Sequence, residues 1–381
     1  VTAQLSNRPR SIVFLGTAHD NGGTSILASN LAKAMRERGH HVEEWYLFGS
    51  DGDAPTGARI FLQTKRSRSP FIAAALFFRI VTALRRSKPD LLFGLQPFSN
   101  LLVGVAGRIA GIRNRIPTYH GPRVYVTRTL MMLDGIVSRL GLYTQMIACA
   151  NSVAETYHRE DLAVVVNGHD VPKEFSRAEA RIALGLPADG LVLGQIGRLS
   201  HQKNQSFSLD LLQQMPDAIL VLLGIGPDEA DLRSQIAAAG LLDRVRIIPS
   251  IAHELIGLFY SAIDLVLFPS RYEGLSLAAI EAIHAGVPSL CADIPSFREM
   301  FAASPLLTAK LLLPVTDRSA WLARIRDLVN DPELRKQIGS ELARLSPAYG
   351  FEIMAEQYLR LIDQREAPPH KPVREAIQSG T

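Results

Sequence analysis

The chain has 381 residues, 47% hydrophobic and 20% charged, a balance that excludes wholesale disorder and points to two folded domains. Its two cysteines, Cys149 and Cys291, are too few and too far apart for a disulfide framework or a zinc knuckle, so a reducing, cytoplasmic setting is expected. The net charge of +4 hides an asymmetry. Residues 1–167 hold 20 Lys and Arg against 11 Asp and Glu, while residues 168–381 hold 21 against 26, so the first half is expected to meet something anionic.

The opening VTAQLSNRPRSIVFLG has no long apolar stretch, and no secretory signal is expected. Strands are predicted at 12–15, 42–48, 91–94, 116–120, 146–149 and 163–167, then at 191–197, 219–224, 244–249, 265–269 and 289–292. Each is a short apolar run followed by a helical pattern, which reads as parallel sheet covered on both faces. The alternation predicts an α/β fold of two doubly wound Rossmann-like domains facing a cleft. The expected units are 1–167 and 168–349, divided near VVNGHDVPKEF. A helix over 350–364 is expected to cross back to the first unit, and the tail 365–381 to lack fixed structure. No apolar run reaches the ~18–20 residues of a membrane span; the longest, PFIAAALFFRIVTAL (70–84), is broken by Arg79.

Four segments carry candidate chemistry. TAHDNGGTSILASNLAKAM (17–35) places Gly22 and Gly23 between a strand and a helix, where helix N–H groups accept an anion or simply make a turn. No G-x-x-x-x-G-K-[ST] occurs, which argues against a P-loop enzyme. IGRLSHQKN (196–204) sets Arg198 and Lys203 on a loop at a strand's C-terminal end, suited to a diphosphate or to plain solvation. GIGPDEADL (224–232) offers Gly224 and Gly226 for close approach to a base or phosphate, without a complete dinucleotide fingerprint. FPSRYEGLSLAAIEAIHAGVP (268–288) predicts a helix from about Leu275 to Gly286. Glu273 and Glu281, eight positions apart, would stand roughly 12 Å apart on a helix, holding two ends of a ligand rather than sharing a proton. A capping or exposed role for Glu281 is the plain alternative.

In that order, GRLSHQKN, GIGP and YEGLSLAAIEAIHAGVP resemble the retaining glycosyltransferases of the GT-B fold known as glycosyltransferase group 1, and the resemblance runs to about residue 364. It implies an acceptor domain at 1–167, a nucleotide-sugar donor domain at 168–349, and a sugar donor carried on a nucleoside diphosphate, with UDP expected. It implies that Arg198 and Lys203 bind the diphosphate, Glu273 the donor sugar, Glu281 the ribose, and the Gly274, Leu275, Ser276 and Leu277 backbone the sugar and phosphates. Gly22 and Gly23 would lie under the phosphates, and His120 in TYHGPR would contact the donor sugar. Two segments depart from the family pattern: ADIPSFREM has no Gly-Gly before Glu299, and VVNGHDVPKEF reads as a linker variation.

No metal and no cofactor is expected. Asp51 and Asp53 resemble a D-x-D metal motif but sit in the turn-rich GSDGDAPTG. A nucleotide-sugar 2-epimerase, a phosphorylase using pyridoxal phosphate and a non-catalytic sugar-nucleotide binder are the rival readings. Nucleic acid is not an expected partner, because aromatic residues are not interleaved with the basic ones. TKRSRSPFIAAALFFRIVTALRRSKPD (64–90) has basic flanks around an apolar centre, which reads as a core helix or as a dock for anionic lipid. The expected acceptor is therefore a glycan or a lipid-linked acceptor, reached by a protein that is cytoplasmic or peripheral at the inner membrane face.

Overall fold

The computed structural model describes residues 8–18, 23–48, 59–62 and 69–364. Among them the first sheet contains β1 (Ser11–Ala18), β2 (His41–Phe48), β3 (Arg59–Leu62), β4 (Leu91–Gly94), β5 (Asn114–Tyr119), β6 (Met146–Ala148) and β7 (Leu162–Val164). The second contains β8 (Leu191–Ile196), β9 (Ala218–Leu223), β10 (Val245–Ile248), β11 (Leu265–Phe268), β12 (Ser289–Ala292) and β13 (Leu312–Leu313). Their spatial orders are β3-β2-β1-β4-β5-β6-β7 and β10-β9-β8-β11-β12-β13, and every neighbouring pair is parallel. This is the doubly wound pair of Rossmann-like sheets of the GT-B fold.

The strand sequences explain the burial. Ile12, Val13, Phe14 and Leu15 are all buried, since helices cover both faces of the sheet and no alternation is required. Two strands escaped prediction. β3 follows a turn-rich stretch, and β13 is two residues long at the end of the helix Pro305–Leu311, within an apolar run that reads as helix. Both cysteines are buried and unpaired.

The topology decides where a ligand fits. The strand order reverses between β1 and β4, registered from Ile12 on Leu91 to Leu15 on Gly94, and again between β8 and β11, with Leu265 on Leu193. In open α/β sheets the crevice beyond the strand ends at such a reversal is the binding site. Here both reversals open onto one cleft.

The chain's last described helix, Phe351–Gln364, returns to the first sheet. Its Phe351, Met354, Ala355, Tyr358 and Leu359 join one core cluster with Ile12, Phe14, Leu27 and Leu31, and Tyr358 meets Phe93 edge-on at 5.9 Å between ring centroids. Each sheet unit carries one buried tryptophan, Trp45 and Trp321. With Trp321→Phe leaving Trp45 as reporter, Tyr358→Ala is expected to weaken the first unit by about 3 kcal/mol. Thermal unfolding followed by fluorescence checks this, and an unchanged midpoint would mean the helix is not part of that core.

Candidate active site

The cleft encloses a cavity of 1710 Å³, larger than the ~300–1,000 Å³ of a single small-molecule pocket and therefore roomy enough for two reactants. Gly23, His120, Arg198, Lys203, Gly224, Gly226, Glu273, Gly274, Leu275, Ser276, Leu277 and Glu281 all line it. The structure thus brings together twelve of the thirteen residues singled out by sequence. The thirteenth, Gly22, lies outside the described residues, as do Asp51 and Asp53.

β11 delivers the chain into the cleft, and the helix Leu277–His284 leads it out, closed by Ala285 and by Gly286 at φ +67°. Ser276 holds the N-cap position, but its hydroxyl makes no cap; Oγ is buried with no hydrogen-bond partner. The first N–H groups of the helix and this hydroxyl therefore face the cavity together, where an anion would satisfy them.

Glu273 enters from the loop before that helix. It accepts from Lys203 Nζ at 2.6 Å and from Ser270 Oγ at 2.7 Å, and Gln202 Nε2 lies 3.4 Å away. Gln202 also donates to the Tyr272 carbonyl, and the Arg271 N–H donates to the Gln202 carbonyl. The two charged loops, from β8 and β11, are thereby locked to one another. Gly274 presses on the first unit: a Cβ there would stand 1.9 Å from the carbonyl oxygen of His120, so no other residue fits without moving backbone.

His120 follows β5 and is half-buried. Thr118 Oγ1 donates to the Gly94 carbonyl at 2.6 Å, so it can only accept from His120 Nε2 at 2.8 Å. The proton then sits on Nε2, and Nδ1, which has no partner, is a bare acceptor on the cavity wall. Burial lowers the imidazole pKa to about 4, which keeps the ring neutral. A sugar hydroxyl is the kind of donor such a nitrogen lacks.

Gly224 and Gly226 serve the loop from β8 first. A Cβ on Gly224 would meet the Gly197 carbonyl oxygen at 2.1 Å, and one on Gly226 the Leu199 carbonyl oxygen at 2.0 Å. Their bareness lets two loops stack and places Arg198 at the rim. Deeper in, Glu281 is buried, its Oε2 2.7 Å from the Tyr260 hydroxyl, and burial raises its pKa to about 7. The carboxylates of Glu273 and Glu281 have separate partners, and no hydrogen bond joins the two.

Sequence reasoning missed several wall residues. Tyr125 and Tyr272 stack across the cleft at 3.3 Å between ring centroids and 11° between planes. Asn167, His169 and His253 also line the cavity, and Asn167 Oδ1 and His169 Nε2 are further buried atoms without hydrogen-bond partners. His169 lies in the stretch taken for a linker variation, where its departure from the family pattern was the one available signal. Glu299 is not on the cavity wall: it accepts from the Asn151 N–H at 2.7 Å, Asn151 Nδ2 at 2.8 Å and the Ser152 N–H at 2.7 Å, capping the helix Asn151–Tyr157 of the first unit.

Comparison with known proteins matches residues 176–344 to the family Glycosyl transferases group 1 and residues 21–172 to Glycosyltransferase Family 4. The lipopolysaccharide core biosynthesis mannosyltransferase LpsB of Rhizobium meliloti is 32% identical over 202 residues, covering 50% of this chain and 57% of that protein. The lipopolysaccharide core biosynthesis glycosyltransferase LpsD of the same organism is 27% identical over 366 residues, 90% of this chain and 95% of that protein. The chain spans about half the length of the first curated relatives it matches and nearly all of LpsD. Among solved structures, HepE of Anabaena with UDP and glucose has a TM-score of 0.80 at 20% identity, covering 93% of this chain and all of that one. Sucrose-phosphate synthase of Thermosynechococcus elongatus has a TM-score of 0.78 at 20% identity, covering 94% of this chain and all of that one. These two likenesses establish the fold.

The Lys203–Glu273 pair makes a stability prediction. The side chains are 15% and 6% exposed, so Lys203→Ala strands a buried carboxylate and is expected to cost about 3 kcal/mol. Adding Glu273→Gln to Lys203→Ala should recover part of that loss in urea unfolding. Strict additivity would show that the pair is not coupled.

Proposed function

We propose that this chain, whose residues 176–344 match the family Glycosyl transferases group 1, moves a sugar from a nucleoside diphosphate donor to a glycan or lipid-linked acceptor, with retention at the anomeric carbon. The observation that carries this reading is the convergence on one cleft wall of Arg198, Lys203, an uncapped helix start and the unpartnered Nδ1 of His120. Cations beside free helix N–H groups suit a diphosphate, and a bare acceptor beside them suits a sugar hydroxyl. UDP is the proposed donor nucleotide; the complexes of HepE with UDP and with UDP-glucose lend it support.

In this proposal Glu281 receives the ribose hydroxyls, and Arg198, Lys203 and the backbone from Gly274 to Leu277 receive the diphosphate. Gly23, at the start of the facing helix Gly23–Glu37, would lie close to the phosphates and the acceptor. Gly224 and Gly226 set the loop that carries Arg198. Glu273 and His120 accept hydrogen bonds from the donor sugar's hydroxyls. The bond between the anomeric carbon and the diphosphate oxygen breaks, and negative charge grows on the leaving group, where the cations and helix N–H groups stabilise it. The acceptor oxygen bonds to the same face of the sugar, and its proton passes to the leaving diphosphate oxygen. Side chains and helix N–H groups supply the neutralising charge, so the proposed transfer needs no metal and no cofactor.

The acceptor side is apolar. The helix Pro70–Ser87 turns Leu76, Ile80 and Leu84 into the core yet leaves Phe71 84% and Phe78 67% exposed, beside the exposed Arg79, Arg85 and Arg86. The helix Arg128–Arg139 likewise exposes Met132, Leu133 and Ile136. Ile72, Leu76, Phe77 and Leu130, from these same helices, line the cleft. An apolar rim with cations fits a lipid-linked acceptor presented at an anionic membrane surface. Among the described residues no helix is long and apolar enough to cross a membrane.

Two tests follow. In transfer assays with EDTA present, Arg198→Ala and Lys203→Ala should each lower turnover at least ~100-fold, about 2.7 kcal/mol, with product anomer read by NMR. Near wild-type rates would remove the assigned roles, and an inverted product would remove retention. In flotation with vesicles, the protein should rise with anionic lipid and not with zwitterionic lipid, and Phe71→Ser with Phe78→Ser should abolish the difference. Absence of binding to either vesicle would end the membrane reading.

A further inference from the structure

At the proposed ribose position Glu281 belongs to a cluster whose two histidines the transfer does not use. His169 Nε2, a ring nitrogen of His253 and a carboxylate oxygen of Glu281 lie within 4.8 Å of one another; among the described residues no other group of three His, Cys, Asp or Glu side chains meets this spacing. The three come from distant places in the chain. His169 sits in the crossing between the sheets, His253 opens the short turn His253–Leu255 after β10, and Glu281 is in the helix Leu277–His284.

The orientation of His169 is fixed by its neighbours. Nδ1 is 3.1 Å from the Asp170 carbonyl oxygen, which can only accept, so Nδ1 carries the proton. In the neutral ring Nε2 is then a lone pair. It is buried, has no hydrogen-bond partner, and faces Glu281 Oε1 at 3.3 Å. Two electron-rich atoms held face to face are relieved by a positive centre between them, a shared proton or a metal ion. Ligands on a tetrahedral zinc ion stand roughly 3.3 Å apart, given metal–ligand distances of about 2.0–2.2 Å. The second shell of such a site is also in place: the Asp170 carbonyl holds His169, and the Tyr260 hydroxyl lies 2.7 Å from Glu281 Oε2. His253 is the least buried of the three and meets His169 edge-on at 5.2 Å between ring centroids, leaving an approach from the cleft.

We propose that His169, His253 and Glu281 form a binding site for a zinc-like divalent ion, with a fourth position open to the cleft, and that the ion and the donor nucleotide exclude one another. Two imidazoles and one carboxylate favour Zn²⁺ over Mg²⁺. The exclusion rests on the proposal that Glu281 holds the ribose; the metal site itself does not. The metal-free protein is then the form that takes up donor, and Zn²⁺ is an inhibitor competitive with it.

The test uses the full chain, freed of metal by EDTA dialysis and titrated with Zn²⁺ against a chromogenic chelator without nucleotide. One Zn²⁺ per chain at micromolar affinity is expected, undisturbed by millimolar Mg²⁺. His253→Ala, at the least buried position, and His169→Asn should each weaken it at least tenfold while the circular dichroism spectrum stays unchanged. No stoichiometric Zn²⁺ binding by the folded protein, or binding that neither variant weakens, overturns the proposal. Saturating UDP should then weaken Zn²⁺ binding at least tenfold, and Zn²⁺ should weaken UDP binding by the same factor. Zn²⁺ binding that depends on both histidines but ignores bound UDP would sustain the metal site and overturn the exclusion along with the ribose role of Glu281. Donor binding in a protein that takes no Zn²⁺ would overturn the site and leave the transfer reading standing.

Discussion

The contact of Gly274 with the His120 carbonyl constrains everything else in the cleft. It is backbone against backbone, across the gap between the two sheets, and leaves no room for a side chain. Because it fixes where the loop from β11 enters, it also fixes the helix start at Leu277, the position of Glu273 and, through Glu273, the ammonium of Lys203. On the other side it fixes the ring of His120, whose tautomer is already set by Thr118 and Gly94. Polar groups from two separate units thus converge on one cleft, beside an apolar contact in which Tyr119, Cys149 and Val153 share one buried cluster with Leu275, Phe297 and Met300.

The units are tied elsewhere by polar and backbone links. His169 pairs with Gly350 as an isolated bridge, its N–H donating to the Tyr349 carbonyl at 2.9 Å, so the chain's outward and return crossings run side by side. Glu299, from the second unit, caps a helix of the first. Such links add direction to the buried apolar contact that also joins the units. They hold a register while leaving most of the cleft to whatever fills it. The buried atoms on its wall without a hydrogen-bond partner, His120 Nδ1, Asn167 Oδ1 and Ser276 Oγ among them, carry a cost that a polar ligand would relieve.

Much of this was legible in the sequence because parallel sheets buried on both faces write themselves as plain apolar runs. The eleven predicted strands lie on eleven of the observed ones, with ends differing by up to three residues. β3 and β13 were not legible, since a short edge strand after a turn-rich loop and a two-residue strand after an apolar helix have no periodicity of their own. At the site, residues within continuous motifs were found, and those brought in singly by the fold were not. Tyr125 and His253 stand in ordinary local contexts, and only the closing of the cleft brings them to the site; Tyr272 is the exception, passed over inside the run YEGLSLAAIEAIHAGVP beside Glu273. Gly224 and Gly226 teach the opposite lesson. Their spacing suggested contact with a ligand, yet the immediate demand is loop on loop, a requirement that sequence cannot tell apart from the other.

Charge shows the same division between global and local. The first half carries the excess of Lys and Arg, which pointed to an anion there, while the cations that face the cavity beside the uncapped helix, Arg198 and Lys203, belong to the acidic second half. Net charge acts over distances that salt screens within about 10 Å, so it governs approach to a surface and not recognition in a cleft. The exposed arginines near Phe71 and Phe78 are placed for the first task. Lys203, pinned 2.6 Å from a buried carboxylate, is placed for the second, because a cation already held in position need not be ordered when charge develops beside it.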